Sequence, residues 1–200
     1  MFIAFLFLTL GYVIGAISTG YFFCRYFFKV DITEHGSGNS GASNVARVLG
    51  KKYFIIIALF DVFKAYALLA LGQFTIGLYY LPALFLYAMM AGLLIGNAYS
   101  MFLSFRGGKG VATALGIMFF VLVWHICGLF MTSWLLLVTV TREPFIASLV
   151  SISVVLGVLL AYGNPEQALL IGTIALWLLF RHQANIIAWI KKYKNTPIVK

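Results

Sequence analysis

The sequence predicts an all-α integral membrane protein, a polytopic bundle of about seven transmembrane helices with the N-terminus outside and the C-terminus cytoplasmic. Three observations carry this expectation. The 200 residues are 63% hydrophobic and only 10% charged, with a mean hydropathy of +1.02, a composition foreign to water-soluble domains. The apolar residues fall in runs long enough to cross a bilayer. The Lys and Arg residues gather at the ends of those runs, so the net charge of +9 reads as a topology signal and not as an affinity for nucleic acid.

Apolar runs cover 1–24, 53–105, 111–141, 145–162 and 168–180, charged within only at Asp61 and Lys64. The first lacks a basic leader and a small-residue cleavage site, so it is expected to stay as a span. Residues 53–105 hold two spans with an outer turn near Gln73–Pro82. Residues 145–180 make a hairpin that turns at Tyr162-Gly163-Asn164-Pro165-Glu166, where Gly, Asn and Pro stop a helix. Val111–Thr141 is the difficult piece, because a single span would put Arg142 outside. Two short helices of about 14 residues, turning near Trp124–Cys127, keep Arg142 inside and give seven helices. An even count with Arg142 outside is the alternative. Lys64 is the only Lys or Arg inside a span. The basic end, Ala188–Lys200, reads as an interfacial tail. No repeat or composition break divides the chain, so residues 1–200 are expected to form one domain.

Two polar segments interrupt the apolar chain. Gly36-Ser37-Gly38-Asn39-Ser40-Gly41-Ala42-Ser43-Asn44-Val45-Ala46-Arg47 places three glycines within six positions. Such glycines leave backbone N–H groups able to turn into an anion-binding nest. Ser37, Asn39, Ser43 and Asn44 add donors, and Arg47 adds a guanidinium fork suited to phosphate. An ordinary solvated loop would also be rich in Gly, Ser and Asn. The pattern is not a P-loop, since it lacks the Lys-Ser/Thr ending. Phe105-Arg106-Gly107-Gly108-Lys109-Gly110 opens the next apolar helix, where free N–H groups, the dipole and Lys109 would all attract phosphate. A topological anchor would need the two bases but not the three glycines.

Asp61 and Lys64 are three residues apart and share a helix face. A charge that deep in a span is functional or paired, and a structural ion pair is as good a reading as a catalytic role. Asn97 and Ser100 sit one turn before the Lys109 loop and are expected to face the same cavity. Arg181, His182 and Asn185 bring polar groups to the end of the last span. His125 is expected to be a satisfied buried histidine, and His35 only a neighbour of the first loop. Cys24 and Cys127 suggest two buried thiols without a disulfide or metal spacing. The usual catalytic sets are missing: no close carboxylate pair, no metal-ligand spacing, no nucleophile elbow. Chemistry on such a chain must rest on positioning and charge stabilisation of an already activated substrate.

In order and spacing, these segments resemble the bacterial acyl-phosphate-dependent glycerol-3-phosphate 1-O-acyltransferases. The run from Gly36 to Arg47 looks like that family's first motif, with Ser43 where Thr is usual. Phe105–Thr113 looks like its second, and Arg181-His182 with Asn185 like its third. The resemblance covers the whole chain and implies a multi-pass protein of the inner membrane with its site facing the cytoplasm. The implied reaction carries an acyl group from acyl phosphate to the 1-hydroxyl of glycerol 3-phosphate, giving lysophosphatidic acid at the start of phospholipid synthesis. It implies substrate contacts from Ser37, Gly38, Asn39, Gly41, Asn44, Arg47, Lys64, Asn97, Gly107, Gly108, Lys109, His182 and Asn185. No residue is assigned as nucleophile; Lys109, Arg47 and His182 position and stabilise charge. No cofactor or metal is implied. The chain departs from the family pattern at Asn97, where His is usual, at Phe145, near a usual Ser, and after the third motif, where Ala184 stands and an acid is usual. A rival of another class is an anion or organophosphate transporter, which would favour an inverted repeat and polar residues at the midplane.

Overall fold

The computed structural model describes residues 1–162 and 164–194, with the side chain of Tyr193 excepted. Among them every regular element is helical. In chain order these are α1 (Phe2–Ala16), α2 (Thr19–Phe23), a π-turn at Cys24–Phe28, a 3₁₀ turn at Ile32–Glu34, α3 (Ala42–Leu49), α4 (Lys52–Leu78), α5 (Leu84–Ala98), a 3₁₀ turn at Met101–Leu103, α6 (Val111–Val121), α7 (Trp124–Thr141), α8 (Pro144–Ala161) and α9 (Pro165–Lys194). Six stretches are long and apolar enough to cross a membrane, and α6 is a shorter apolar helix. The chain is an all-α, multi-pass membrane protein. Exposed Phe60, Phe63, Phe74, Leu136 and Leu176 are what lipid-facing helix surfaces require, since hydrocarbon leaves apolar side chains no reason to turn inward.

Contacts divide the chain into two units, Met1–Val123 and Trp124–Lys200, a division that no repeat or composition break marks. In the first unit, α1 packs on α5 through reciprocal glycines. A Cβ on Gly11 would meet the Met89 carbonyl, and one on Gly92 would meet the Leu8 carbonyl. Gly15 faces Leu93 and Gly96 faces Tyr12 in the same way. Both pairs are spaced by four, the small-residue stripe that lets membrane helices approach backbone to backbone. Gly116 of α6 likewise sits against Val62 and Ala65 of α4.

The first span is broken at Ile17–Ser18, where Ile17 takes ψ 97 and ends α1. A break inside hydrocarbon must satisfy the carbonyls it frees. Ser100 Oγ donates to the Ala16 carbonyl at 2.6 Å, and Lys64 Nζ to the Ile17 carbonyl at 2.6 Å. Ser18 Oγ caps the restart by accepting from Tyr21 N, and Thr19 Oγ1 donates to Asp61 Oδ1 at 2.7 Å. The break therefore aims α2 at the polar loop: Gly20 lies so close to the Ser40 carbonyl that a side chain there would strike it.

Three expected boundaries move. Gln73 lies within α4, and the turn follows at 79–83. The pair of short helices in 111–141 is unequal, with 11 residues in α6 and 18 in α7, and the chain breaks at Leu122–Val123. At about 1.5 Å per residue, α6 reaches only about half of a ~30 Å core. His125, expected to be buried, is exposed at the start of α7, with its ring edge-on to Trp124 at 5.7 Å. Cys24 and Cys127 are buried free thiols, as expected.

In the second unit α8 packs against both α7 and α9. Trp134 Nε1 donates to Ser148 Oγ at 3.0 Å, and that hydroxyl donates to the Pro144 carbonyl. Gly163 of the expected turn, and 195–200 of the basic tail, lie outside the described residues.

Candidate active site

Asn44 organises the first loop. It is buried on α3, and its amide has two donors and two acceptor lone pairs. Oδ1 accepts from Ser37 N at 2.8 Å and from Arg47 Nη1 at 3.1 Å. Nδ2 donates to the carbonyls of Ile32 at 3.2 Å and His35 at 2.9 Å. Every valence is spent inside the protein. Among residues expected to touch substrate, Asn44 is thus a positioning residue that fixes both the loop and the Arg47 guanidinium. The spacing Asn44–Arg47, one helical turn, is what brings the two side chains together.

The loop curls through left-handed backbone at Gly36 and Gly38, with φ of 61 and 69. Glycine meets that demand without strain. Ser37 and Gly38 are exposed, as is Arg47, whose tip remains open to solvent beyond its bond to Asn44. Asp31 anchors the loop's approach by accepting from Thr33 N and Thr33 Oγ1 at 3.0 and 2.6 Å. The Thr33 hydroxyl bond, with Arg25 nearby, holds its carboxyl below the usual carboxylate value. His35 is exposed, with Nδ1 2.9 Å from the Asp31 carbonyl.

Asn39 joins the two glycine segments. Its Oδ1 accepts from Gly41 N at 2.9 Å, and its Nδ2 donates to the Gly107 carbonyl at 3.3 Å. Gly107 and Gly108 lie flat on the end of α5. Gly108 N donates to the Asn97 carbonyl at 2.8 Å. A Cβ on Gly107 would strike that carbonyl, and one on Gly108 would come within 2.8 Å of Asn97 Oδ1. Gly110, with φ 86, then starts α6, so Lys109 sits between the glycine turn and a helix N-terminus. The structure brings the two glycine-plus-cation loops side by side in one unit.

Asn97 Oδ1 and Thr113 Oγ1 are buried without a hydrogen-bond partner among the described residues. They flank the second loop, leaving an amide acceptor and a hydroxyl unsatisfied there. Lys64, expected at the substrate, is bonded to the Ile17 carbonyl and paired with Asp61 at 2.7 Å. Ser100 is likewise committed to Ala16. His182 and Asn185 belong to the second unit. His182 is buried there, with Nδ1 2.7 Å from the Leu178 carbonyl one turn back in α9.

The pattern of the family described as "Glycerol-3-phosphate acyltransferase" matches residues 5–192. The chain belongs to the glycerol-3-phosphate acyltransferase family. It is 36% identical over 178 residues to the glycerol-3-phosphate acyltransferase of Idiomarina loihiensis, covering 88% of this chain and 87% of that protein. The Zymomonas mobilis enzyme of that name is 36% identical over 195 residues, covering 92% and 91%. The fold is similar to the crystal structure of PlsY (YgiH), an integral membrane glycerol 3-phosphate acyltransferase, in its glycerol 3-phosphate form. There the TM-score is 0.83 at 28% identity, over 94% of this chain and 92% of that one. The lysophosphatidic acid form of the same protein is similar with a TM-score of 0.81.

Within this acyltransferase family member, sequence reasoning missed the helix break and the glycine stripe. The stripe was readable, as Gly11/Gly15 and Gly92/Gly96 repeat at four. The break was not, because Ser18 and Thr19 are small residues that apolar spans often contain.

Proposed function

We propose that the chain transfers a fatty acyl group from an acyl phosphate to the 1-hydroxyl of glycerol 3-phosphate, forming lysophosphatidic acid and inorganic phosphate. The hydroxyl oxygen bonds to the acyl carbon, the bond from that carbon to the phosphate oxygen breaks, and the hydroxyl proton ends on phosphate. A mixed anhydride carries its own leaving group, so the protein needs no nucleophile, in keeping with the lack of any catalytic triad or metal set in the sequence. Its work is to hold two anions together and to stabilise charge as it moves to the leaving phosphate.

The observation that carries this reading is the Asn39–Gly107 bond, which joins the Arg47 loop to the Lys109 loop. Arg47, held by Asn44, offers a fixed fork to one phosphate, and Lys109 offers a point charge beside a helix N-terminus. Ser37 contributes its hydroxyl, while Gly38 and Gly41 shape the loop, their N–H groups donating to the His35 carbonyl and to Asn39 Oδ1; Asn97 Oδ1 offers an acceptor for a substrate hydroxyl. His182 and Asn185 are assigned to the same substrates by the family motif. We place the site at the cytoplasmic face of the inner membrane, where the basic run-ends belong.

Purified protein given palmitoyl phosphate and radiolabelled glycerol 3-phosphate is expected to form labelled lysophosphatidic acid. Absence of product, together with phosphate counterflow in liposomes, would replace this reading with transport.

A further inference from the structure

The first apolar span ends in a feature that the acyl-transfer reading does not use. The π-turn Cys24–Phe28 widens the helix just before it stops, and π-turns are rare and concentrate at functional places. Phe22, Arg25, Tyr26 and Lys29, spaced as one helix face, line an open cavity of about 530 Å³. That size lies within the range of small-molecule sites. Phe22 also meets Phe102 edge-on at 6.0 Å, so the cavity stands beside the turn that leads into the second glycine loop.

Its lining carries two cations, of which Arg25 is partly offset by the nearby Asp31 carboxylate. Neither Arg25 nor Lys29 makes an ion pair among the described residues. The nearby Asp31 accepts two hydrogen bonds from Thr33 and keeps its negative charge, so Arg25 and Lys29 against Asp31 leave the cluster net positive. Lys29 Nζ stands 5.5 Å from the Tyr26 ring centroid, a contact that orients the ammonium without neutralising it. Lys29 also occupies left-handed backbone, with φ 56 and ψ 25. Glycine would be the easier residue there, so the conformation points to a use for the side chain. Tyr26 and Phe27 are strongly exposed, an aromatic collar suited to the boundary between hydrocarbon and headgroups.

We propose that Phe22, Arg25, Tyr26 and Lys29 form a binding site for the phosphate headgroup of an anionic bilayer phospholipid. Arg25 and Lys29 straddle the phosphate, and Phe22 and Tyr26 cover the glycerol and the first acyl carbons. The alternative, a plain topological anchor, needs the two charges but neither the cavity nor a lysine in a glycine's conformation.

The test is native mass spectrometry of the detergent-purified protein with added phosphatidylglycerol or phosphatidylcholine. One phosphatidylglycerol should bind more tightly than phosphatidylcholine. Arg25→Gln and Lys29→Gly should each weaken it about fivefold, as one headgroup cation is worth. Lys29→Gly relieves the backbone, so unfolding cannot account for its loss. Lys191→Gln/Lys192→Gln, which removes the competing bases on α9, should leave the binding unchanged. Equal binding of both lipids would overturn the proposal, as would indifference to Arg25→Gln and Lys29→Gly. Displacement of the lipid by equimolar glycerophosphoglycerol, the headgroup without its chains, would assign the site to a soluble anion and also overturn it.

Discussion

Lys64 Nζ donates to the Ile17 carbonyl at 2.6 Å while standing 2.7 Å from Asp61 Oδ1. One ammonium thus closes a break in the first span and neutralises a buried acid, and Asp61 in turn holds Thr19 on the other side of the break. Replacing Lys64 alone strands a carboxylate in a low dielectric, a loss of about 3–5 kcal/mol. Lys64→Met should therefore lower the thermal midpoint in detergent sharply, and Asp61→Asn/Lys64→Met should recover much of it. A Lys64→Met protein with the wild-type midpoint and no turnover would make Lys64 a substrate contact instead.

Much of this arrangement was legible before any coordinates, but not its purpose. Helical spacing brought Asp61 to Lys64 and Asn44 to Arg47, because period 3.6 leaves no other neighbour at three residues. Spacing says nothing about a carbonyl freed 47 positions away, so Lys64 read as a candidate ligand. The polar loop was visible because it interrupts an apolar chain. That Asn44 spends its whole amide on the loop depends on the fold of Ile32–His35, which no local pattern encodes. The position of Arg142 makes two helices of Val111–Thr141, but nothing in an apolar run marks Leu122 as its breaking point, so the sequence alone predicts equal halves.

Asn39 bonds Gly41 through its oxygen and Gly107 through its nitrogen. Asn39→Asp keeps the acceptor for Gly41 but loses the donor to Gly107. At about 1.5 kcal/mol for the link, KM for glycerol 3-phosphate should rise about tenfold, with the thermal midpoint near wild type. An unchanged KM would mean that the two loops hold their places without this bond.

Gly107 rests on the Asn97 carbonyl with no room for a methyl group. Since the obstacle is backbone, it cannot rotate away, and Gly107→Ala must lift Lys109 from its seat. A displacement of about 1 Å at a reacting site is worth about 10²-fold in rate. Turnover should fall by that order in protein that still inserts; wild-type turnover would show that the loop's position is immaterial.

Topology is open to direct labelling, because the native Cys24 and Cys127 are buried. His35 in the first loop and Glu166 at the start of α9 are both exposed. His35→Cys should react with an impermeant maleimide only from the cytoplasmic side, and Glu166→Cys only from outside. Cytoplasmic labelling of Glu166→Cys would reverse the hairpin of α8 and α9 and with it the placement of Arg142.

Arg47 and Lys109 separate a binding site from a pair of membrane anchors. If Lys109 contacts a substrate phosphate, Lys109→Ala removes a charge-assisted bond of ~1.5–3 kcal/mol, about 10- to 150-fold in kcat/KM. Arg47→Lys is the sharper variant. Asn44 Oδ1 holds Nη1 at 3.1 Å, so the guanidinium can take one bond to Asn44 and still present a fork to phosphate. An ammonium on a flexible stem cannot do both, and kcat/KM should fall at least about tenfold. An anchor obeys a different rule, since lysine satisfies the positive-inside bias as well as arginine. Wild-type kinetics in Arg47→Lys, with insertion verified, would remove Arg47 from the site.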